Sequence, residues 1–339
     1  MKIPYRTQQA LKRAGVVLLF TVLTAALVFL CWFLWLERFV VYTRDEGAKL
    51  DMTLAEEFPE GQLAQAPTTG ETVDIYYNEG ENAINTSKEL TQLTGYYATA
   101  EDLAQGAAGV LAQIKALDPE TPVMVDVKNS KGAFFYSSGI ATHRASNINI
   151  EEMDALIAYL KSSNHYAIAR LPAFRDYHYG LKHVSDGLPT SGGYLWADAD
   201  YCYWLNPSSQ GTLTYLAQIV SELKDLGFDE VVFEEFRFPD TEKIVFKADK
   251  KEALVKAAQT LVTACATDSF AVSFVQERDF ALPAGRSRLY LPGVTAAEVS
   301  TVAQQAQVTD PSLNLVFLTE VHDTRFEISS VLRPLDAAH

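Results

Sequence analysis

The chain has 339 residues, with 28 Lys and Arg against 43 Asp and Glu, for a formal net charge of −15. Apolar residues make up 48% of it, too many for a disordered chain and enough for a large core that needs neither disulfides nor a structural metal. The acidity and the lack of a basic tract exclude nucleic acid as a partner, because phosphate binding needs clustered Lys and Arg.

Residues 1–14 carry Lys2, Arg6, Lys12 and Arg13 and no acid. Residues 15–36, GVVLLFTVLTAALVFLCWFLWL, follow without a charge and are long enough to cross a hydrocarbon core of ~30 Å. Trp32 and Trp35 stand near the end of this run, where an aromatic belt belongs. Bulky residues occupy the place where small ones precede a signal-peptide cleavage site, so an uncleaved anchor is predicted. Four bases precede the run, and three bases with four acids occupy 37–51. The positive-inside rule then keeps the tail in the cytoplasm. The expectation is a single-pass protein of the cell membrane with its C-terminal domain extracellular. Beyond the tail, 24 bases face 43 acids.

Residues 37–90 read as a stalk or entry segment, rich in Glu, Gly, Thr, Asn and Gln, with one candidate strand at 73–77. From 91 to 339, short runs rich in Val, Ile, Phe and Tyr alternate with stretches of helical period. Strands are predicted at 93–98, 122–127, 165–171, 230–236, 270–275, 287–291 and 313–319, with a weaker eighth at 328–333. Helices are predicted at 100–116, 151–162, 211–226, 249–266 and 296–306. This alternation predicts an α/β fold, a (β/α)8 TIM-like barrel. A doubly wound sheet is second, because no GxGxxG follows the first strand. Neither GxSxG nor a P-loop occurs, nor CxxC or HExxH spacing, so no cofactor and no metal is expected. Outside the anchor only Cys202 and Cys265 remain, and they could pair.

In such a barrel, chemistry sits at the C-terminal ends of the strands. Asp126 and Lys128 end one predicted strand, Arg170 the next, and Glu234, Glu235 and Arg237 the one after. Asp176 follows Arg170 by six residues, Gln276 and Glu277 follow the fifth strand, and Glu320 the seventh. Alternation puts Val232, Glu234 and Phe236 on one face of their strand and Phe233, Glu235 and Arg237 on the other. Glu234 is favoured as the inward carboxylate, with Asp126 facing the same mouth. Two carboxylates across a cleft suit glycoside hydrolysis, one protonating the leaving oxygen and the other attacking or activating water. The same residues suit structural ion pairs equally well, Asp126 with Arg170 or Glu235 with Arg237. The long loop at 172–210 holds Tyr177, His178, Tyr179, Trp196, Tyr201, Tyr203 and Trp204. Trp196, Tyr203 and Trp204 are candidates to stack on sugar rings; equally, the aromatics could form a small core that holds the loop together.

Four stretches carry a resemblance: Val125-Asp126-Val127-Lys128 with Gly132; Ala169-Arg170-Leu171 with Phe174 and Asp176; Trp204-Leu205-Asn206-Pro207; and Phe228 to Pro239. In order and spacing the chain resembles a glycosyl hydrolase domain family of bacterial TIM-barrel proteins, clearly over 93–240 and loosely beyond. The resemblance implies a (β/α)8 fold, a carbohydrate substrate and carboxylate catalysis. It places the family's strand-end Asp on Glu234, one methylene longer, its Tyr on Glu235, and the position that often holds Gln on Val232. The stretch AVSFVQERDF lacks the Asp that the resemblance implies in a SADVFG-like run. Two functions follow. The first is a membrane-anchored glycoside hydrolase acting on extracellular or cell-wall polysaccharide, with Glu234 and Asp126 catalytic. Glu235, Arg170, Arg237, Lys128, Asp176, Trp196, Tyr203 and Trp204 would hold substrate. The second is a glycan-binding or cell-envelope assembly protein on a barrel that has lost turnover.

Overall fold

The computed structural model describes residues 40–43, 47–50, 90–141 and 143–338. The predicted anchor at 15–36, the tail before it and the predicted strand at 73–77 lie outside these residues. Among the described residues, no helix is long and apolar enough to cross a membrane. The chain falls into two compact units, Met1–Asp74 and Ile75–His339. In the first, β1 (Val40–Thr43) and β2 (Gly47–Leu50) pair antiparallel as a short hairpin inside the predicted stalk.

The second unit holds eight parallel strands: β3 (Thr94–Ala98), β4 (Val123–Asp126), β5 (Ala167–Pro172), β6 (Glu230–Glu234), β7 (Ala271–Val275), β8 (Leu289–Pro292), β9 (Leu315–Leu318) and β10 (Ser330–Pro334). They pair in chain order, and β10 closes on β3, so the sheet is a closed barrel as predicted. Each strand lies within a few residues of its expected place. Each is an apolar run of the kind that a sheet covered on both faces requires.

The helices are α1 (Ala100–Lys115), α2 (Ile150–Ser162), α3 (Tyr177–Lys182), α4 (Gln210–Asp225), α5 (Lys250–Cys265), α6 (Val299–Gln305) and α7 (Pro311–Asn314). Their starts are written in the sequence. Thr99 and Asp102 form a reciprocal capping box on α1, Asn149 caps α2 and Asp249 caps α5. On α1, Leu103, Ala107, Val110 and Ile114 recur at helical spacing and are buried. Full burial of each larger aliphatic contributes roughly 1.5–3 kcal/mol. The predicted helix at 296–306 shortens to α6. Residues 276–288 join β7 to β8 with no helix at all.

Among the described residues of this unit, the apolar side chains form two clusters. Leu93, Met124, Ile168, Val232, Tyr290, Val316 and Leu332 fill the barrel interior. The outward strand residues pack with the helices in a second, larger cluster that includes Val125, Ala169 and Phe233. Cys202 and Cys265 are both free thiols, the first buried.

Candidate active site

The interior cluster fixes which strand-end residues face the mouth. Two residues beyond Met124, Ile168 and Val232 on the same faces stand Asp126, Arg170 and Glu234. Tyr97, Val275 and Leu318 pack onto the same cluster. The floor of the mouth is thus polar over the adjacent strands β3 to β6 and apolar at Val275 and Leu318. Alternation gives the correct face for Glu234.

It fails one residue later. Glu235 has φ 48°, in the left-handed region that a side chain other than Gly or Asn enters at a cost of roughly 1–2 kcal/mol. The turn ends β6 and swings Phe236 away from the face it was expected to share with Glu234. Phe236 instead sits in the outer cluster, its ring 4.6 Å from those of Phe174 and Phe274. Glu235 pairs with Arg237 at 2.8 Å, and the Arg237 guanidinium lies 5.0 Å over the Trp204 ring.

Asp126 and Arg170 occupy opposed positions on β4 and β5. Their ion pair is bidentate, with Nε to Oδ1 at 2.6 Å and Nη2 to Oδ2 at 3.0 Å. The backbone N–H of Ala100, at the start of α1, donates to Oδ2 at 2.7 Å. The Arg170 guanidinium also lies 5.8 Å from the Tyr97 ring centre. Glu234 is half-buried, and its carboxylate makes no hydrogen bond or ion pair among the described residues. Burial pushes its pKa above the ordinary Glu value; Arg170 pulls it back, and Asp126 and Glu235 raise it further. Glu234 and Asp126 therefore share one electrostatic neighbourhood, with Arg170 between them in effect.

Lys128 and Asp176 do not reach the mouth. They form a buried pair at 2.7 Å, neither side chain having accessible surface. Asp176 also accepts from the Tyr215 hydroxyl at 3.0 Å and from the Tyr179 backbone N–H at 2.8 Å, capping α3. Gly132, with φ 81°, makes room: a Cβ there would fall 2.0 Å from Asp176 Oδ1. The pair ties the loop after β4 to the loop after β5.

The aromatic loop carries its own small core. Trp204 is 3% exposed, and its indole N–H donates to Asp198 at 3.0 Å. Asp198 also accepts from Arg175 Nε at 2.6 Å and from the Cys202 N–H at 3.0 Å. Burial raises the Asp198 pKa, but these donors outweigh it and bring the group to about 2. Tyr203 is half-buried and stacks on Tyr177 at 5.5 Å. Trp196 is half-buried against the outer cluster. Of the three aromatics expected to meet sugar, Trp204 is closed off by its neighbours.

The spacing rules missed the β7–β8 flank as a space. A cleft of about 600 Å³ there is lined by Gln276, Glu277, Asp279, Pro292 and Glu298, among others. A second, of about 300 Å³, lies between Arg237, Lys251, Leu254 and Phe280. Neither is lined by Glu234 or Asp126. The helix-free connection at 276–288 leaves room for both. Among the described residues, no group of three or more His, Cys, Asp or Glu is placed to hold a metal ion.

Residues 93–273 match the family described as "Putative glycosyl hydrolase domain". No curated protein matches the chain. Several solved structures are similar. A hypothetical protein from Ruminiclostridium thermocellum shares 22% identity, covering 53% of this chain and 96% of its own, with a TM-score of 0.45. The glycoside hydrolase domain of PelA from Pseudomonas aeruginosa shares 12%, covering 74% and 97%, with a TM-score of 0.43. Aspergillus fumigatus Ega3, in complex with galactosamine, shares 12%, covering 76% and 97%, with a TM-score of 0.45.

Proposed function

Because the chain belongs to the family described as "Putative glycosyl hydrolase domain", we propose that it hydrolyses glycosidic bonds with Glu234 as the proton donor. The observation that carries this reading is the state of that carboxylate. It faces the mouth, its carboxylate has no hydrogen-bond or ion-pair partner among the described residues, and burial raises its pKa. A carboxyl in that condition keeps a proton nearer to neutral pH and can deliver it to a leaving oxygen. Asp126 is the second carboxylate of the pair, its orientation fixed by Arg170 and the Ala100 N–H. Arg170 and the exposed Arg237 offer donors to sugar hydroxyls. The charge-free run at 15–36 anchors the domain to the membrane with the barrel outside, which makes extracellular or cell-wall polysaccharide the substrate.

The full chain in detergent is expected to release reducing ends from at least one member of a polysaccharide panel. Glu234→Gln should lower that rate by about 10²–10⁴-fold, the contribution of a positioned general acid. Full activity in the variant would remove Glu234 from the mechanism. One observation favours a second reading, glycan binding without turnover: the Asp126 carboxylate is already committed to three donors. Binding of a polysaccharide by wild type with no release of reducing ends would decide for it.

A further inference from the structure

Gln210, Thr214, Gln218 and Ser221 follow one another along one face of α4, and none of them is charged. The solvent side of a helix ordinarily carries charge. Here the uncharged stripe forms one wall of a groove. A cavity of about 420 Å³ is lined by Gln210, Thr214 and Gln218 together with Ile140, Tyr179 and His183, among others. A second, of about 630 Å³, continues from Gln218 and Ile140 to Ser221 and Asp225. Sharing Ile140 and Gln218, the two join into a groove that follows α4 for about 22 Å.

The other walls are held in place by carboxylates. Glu222 accepts from the Tyr136 and Ser138 hydroxyls at 2.8 and 2.6 Å and from the Gly139 N–H at 2.6 Å, which fixes the loop after β4 against α4. At the start of the helix, Asp186 accepts from the Ser209 and Tyr179 hydroxyls at 2.6 and 2.9 Å. Tyr215, Tyr179 and His183 stack in series, with ring centres 3.9 and 4.2 Å apart, and His183 is the exposed end of the stack.

The lining narrows the ligand by exclusion. Among the described residues it holds no Lys or Arg but three carboxylates, Asp186, Glu222 and Asp225, so it repels an anionic chain. Asp186 and Glu222 are already filled by donors of the fold, which leaves only Asp225 for a cation. Ile140 is the only aliphatic side chain among the described lining residues, too few for the row of apolar anchors that a helical peptide needs. We propose that the groove binds a neutral polysaccharide chain along α4, at an accessory site on the outer side of the barrel. Its amides and hydroxyls both donate to and accept from sugar hydroxyls. The exposed ring of His183 offers a flat face to a pyranose. Walls fixed in advance keep the ordering cost of binding low. The site goes beyond the hydrolase reading, because neither Glu234 nor Asp126 lines it and it needs no turnover.

The test is affinity electrophoresis of the full chain in detergent through gels containing hydroxyethyl cellulose, galactomannan or glycol chitin, with carboxymethyl cellulose as the anionic comparison. Wild type should be retarded in at least one neutral gel and less in the anionic one. Gln218→Ala and His183→Ala should each weaken retardation about five- to ten-fold. Both side chains are exposed, so both variants should melt with wild type. Glu234→Gln should be retarded as wild type is, and adding Gln218→Ala to it should weaken retardation again, which separates failure of the hydrolase reading from failure of this one. Wild type unretarded in every neutral gel would overturn the proposal and leave the groove to a protein partner. So would undiminished retardation of Gln218→Ala and His183→Ala, or retardation by carboxymethyl cellulose equal to that by the neutral gels.

Discussion

Glu230 and Glu234 stand on the same strand and face the same interior, four residues and about 13 Å apart. Their surroundings are opposite. Glu230, at the lower end of the barrel, has no exposure and accepts from Ser273, Tyr166 and Tyr290 at 2.5, 3.0 and 3.0 Å. It is paired with Arg288, which also donates to Leu313 O and Thr91 O. The Glu234 carboxylate, at the upper end, accepts from no donor among the described residues. A buried acid whose lone pairs are all used is part of the framework. One left without donors at a half-open end has its proton affinity set by burial and neighbouring charge, and is free to exchange that proton. The number of committed donors separates the two, and it follows their difference in burial and in position along the strand.

The largest effect should come from breaking the saturated end. Glu230→Ala leaves Arg288 buried and unpaired, with an expected loss of about 3–5 kcal/mol in denaturant unfolding. A loss below ~1 kcal/mol would break the comparison. Asp176→Ala does the same to Lys128, at about 3 kcal/mol, and should also open residues 172–210 to proteolysis. Asp198→Asn follows, at about 1–2 kcal/mol. The ionised Asp198 stabilises the loop above its unfolded value of about 3.9, and that contribution is lost as pH falls toward 2. Wild type should therefore lose loop protection in acid between about pH 4 and 2, and the Asn variant should not show that step. The smallest effect has the opposite sign. Burial makes the charged form of Glu234 a cost above its unfolded pKa, a cost absent once both states are protonated. Glu234→Gln should be more stable than wild type at pH 7 and equal to it near pH 3 in denaturant unfolding. A loss of stability at pH 7 would place Glu234 with Glu230.

Much of this was legible in the sequence, for definite reasons. Parallel strands are apolar on both faces, so the eight runs stood out, and alternation then placed Glu234 and Asp126 inward. The pairing of Asp126 with Arg170 and of Glu235 with Arg237 was among the alternatives the spacing allowed. The burial of Lys128 and Asp176 was not legible, because it depends on Tyr215, 39 residues further on, and on the space left at Gly132. The role of Glu230 was hidden too. An acid opening a strand after Asp229 looks solvated until Arg288, 58 residues later, is seen to meet it. The left-handed turn at Glu235 carries no signal, since glutamate does not mark that conformation.

That turn makes Glu234 answerable to residues it never touches. Because the chain bends between them, Phe236 acts as a keel set among Phe174, Phe233, Phe274 and Phe280, with ring centres 4.6 to 6.4 Å away. Trimming any of these rings would let the keel roll and would tilt the carboxyl above it. Inherited or engineered changes on the outer wall of the barrel would then surface first as a drift in the acidity of its mouth.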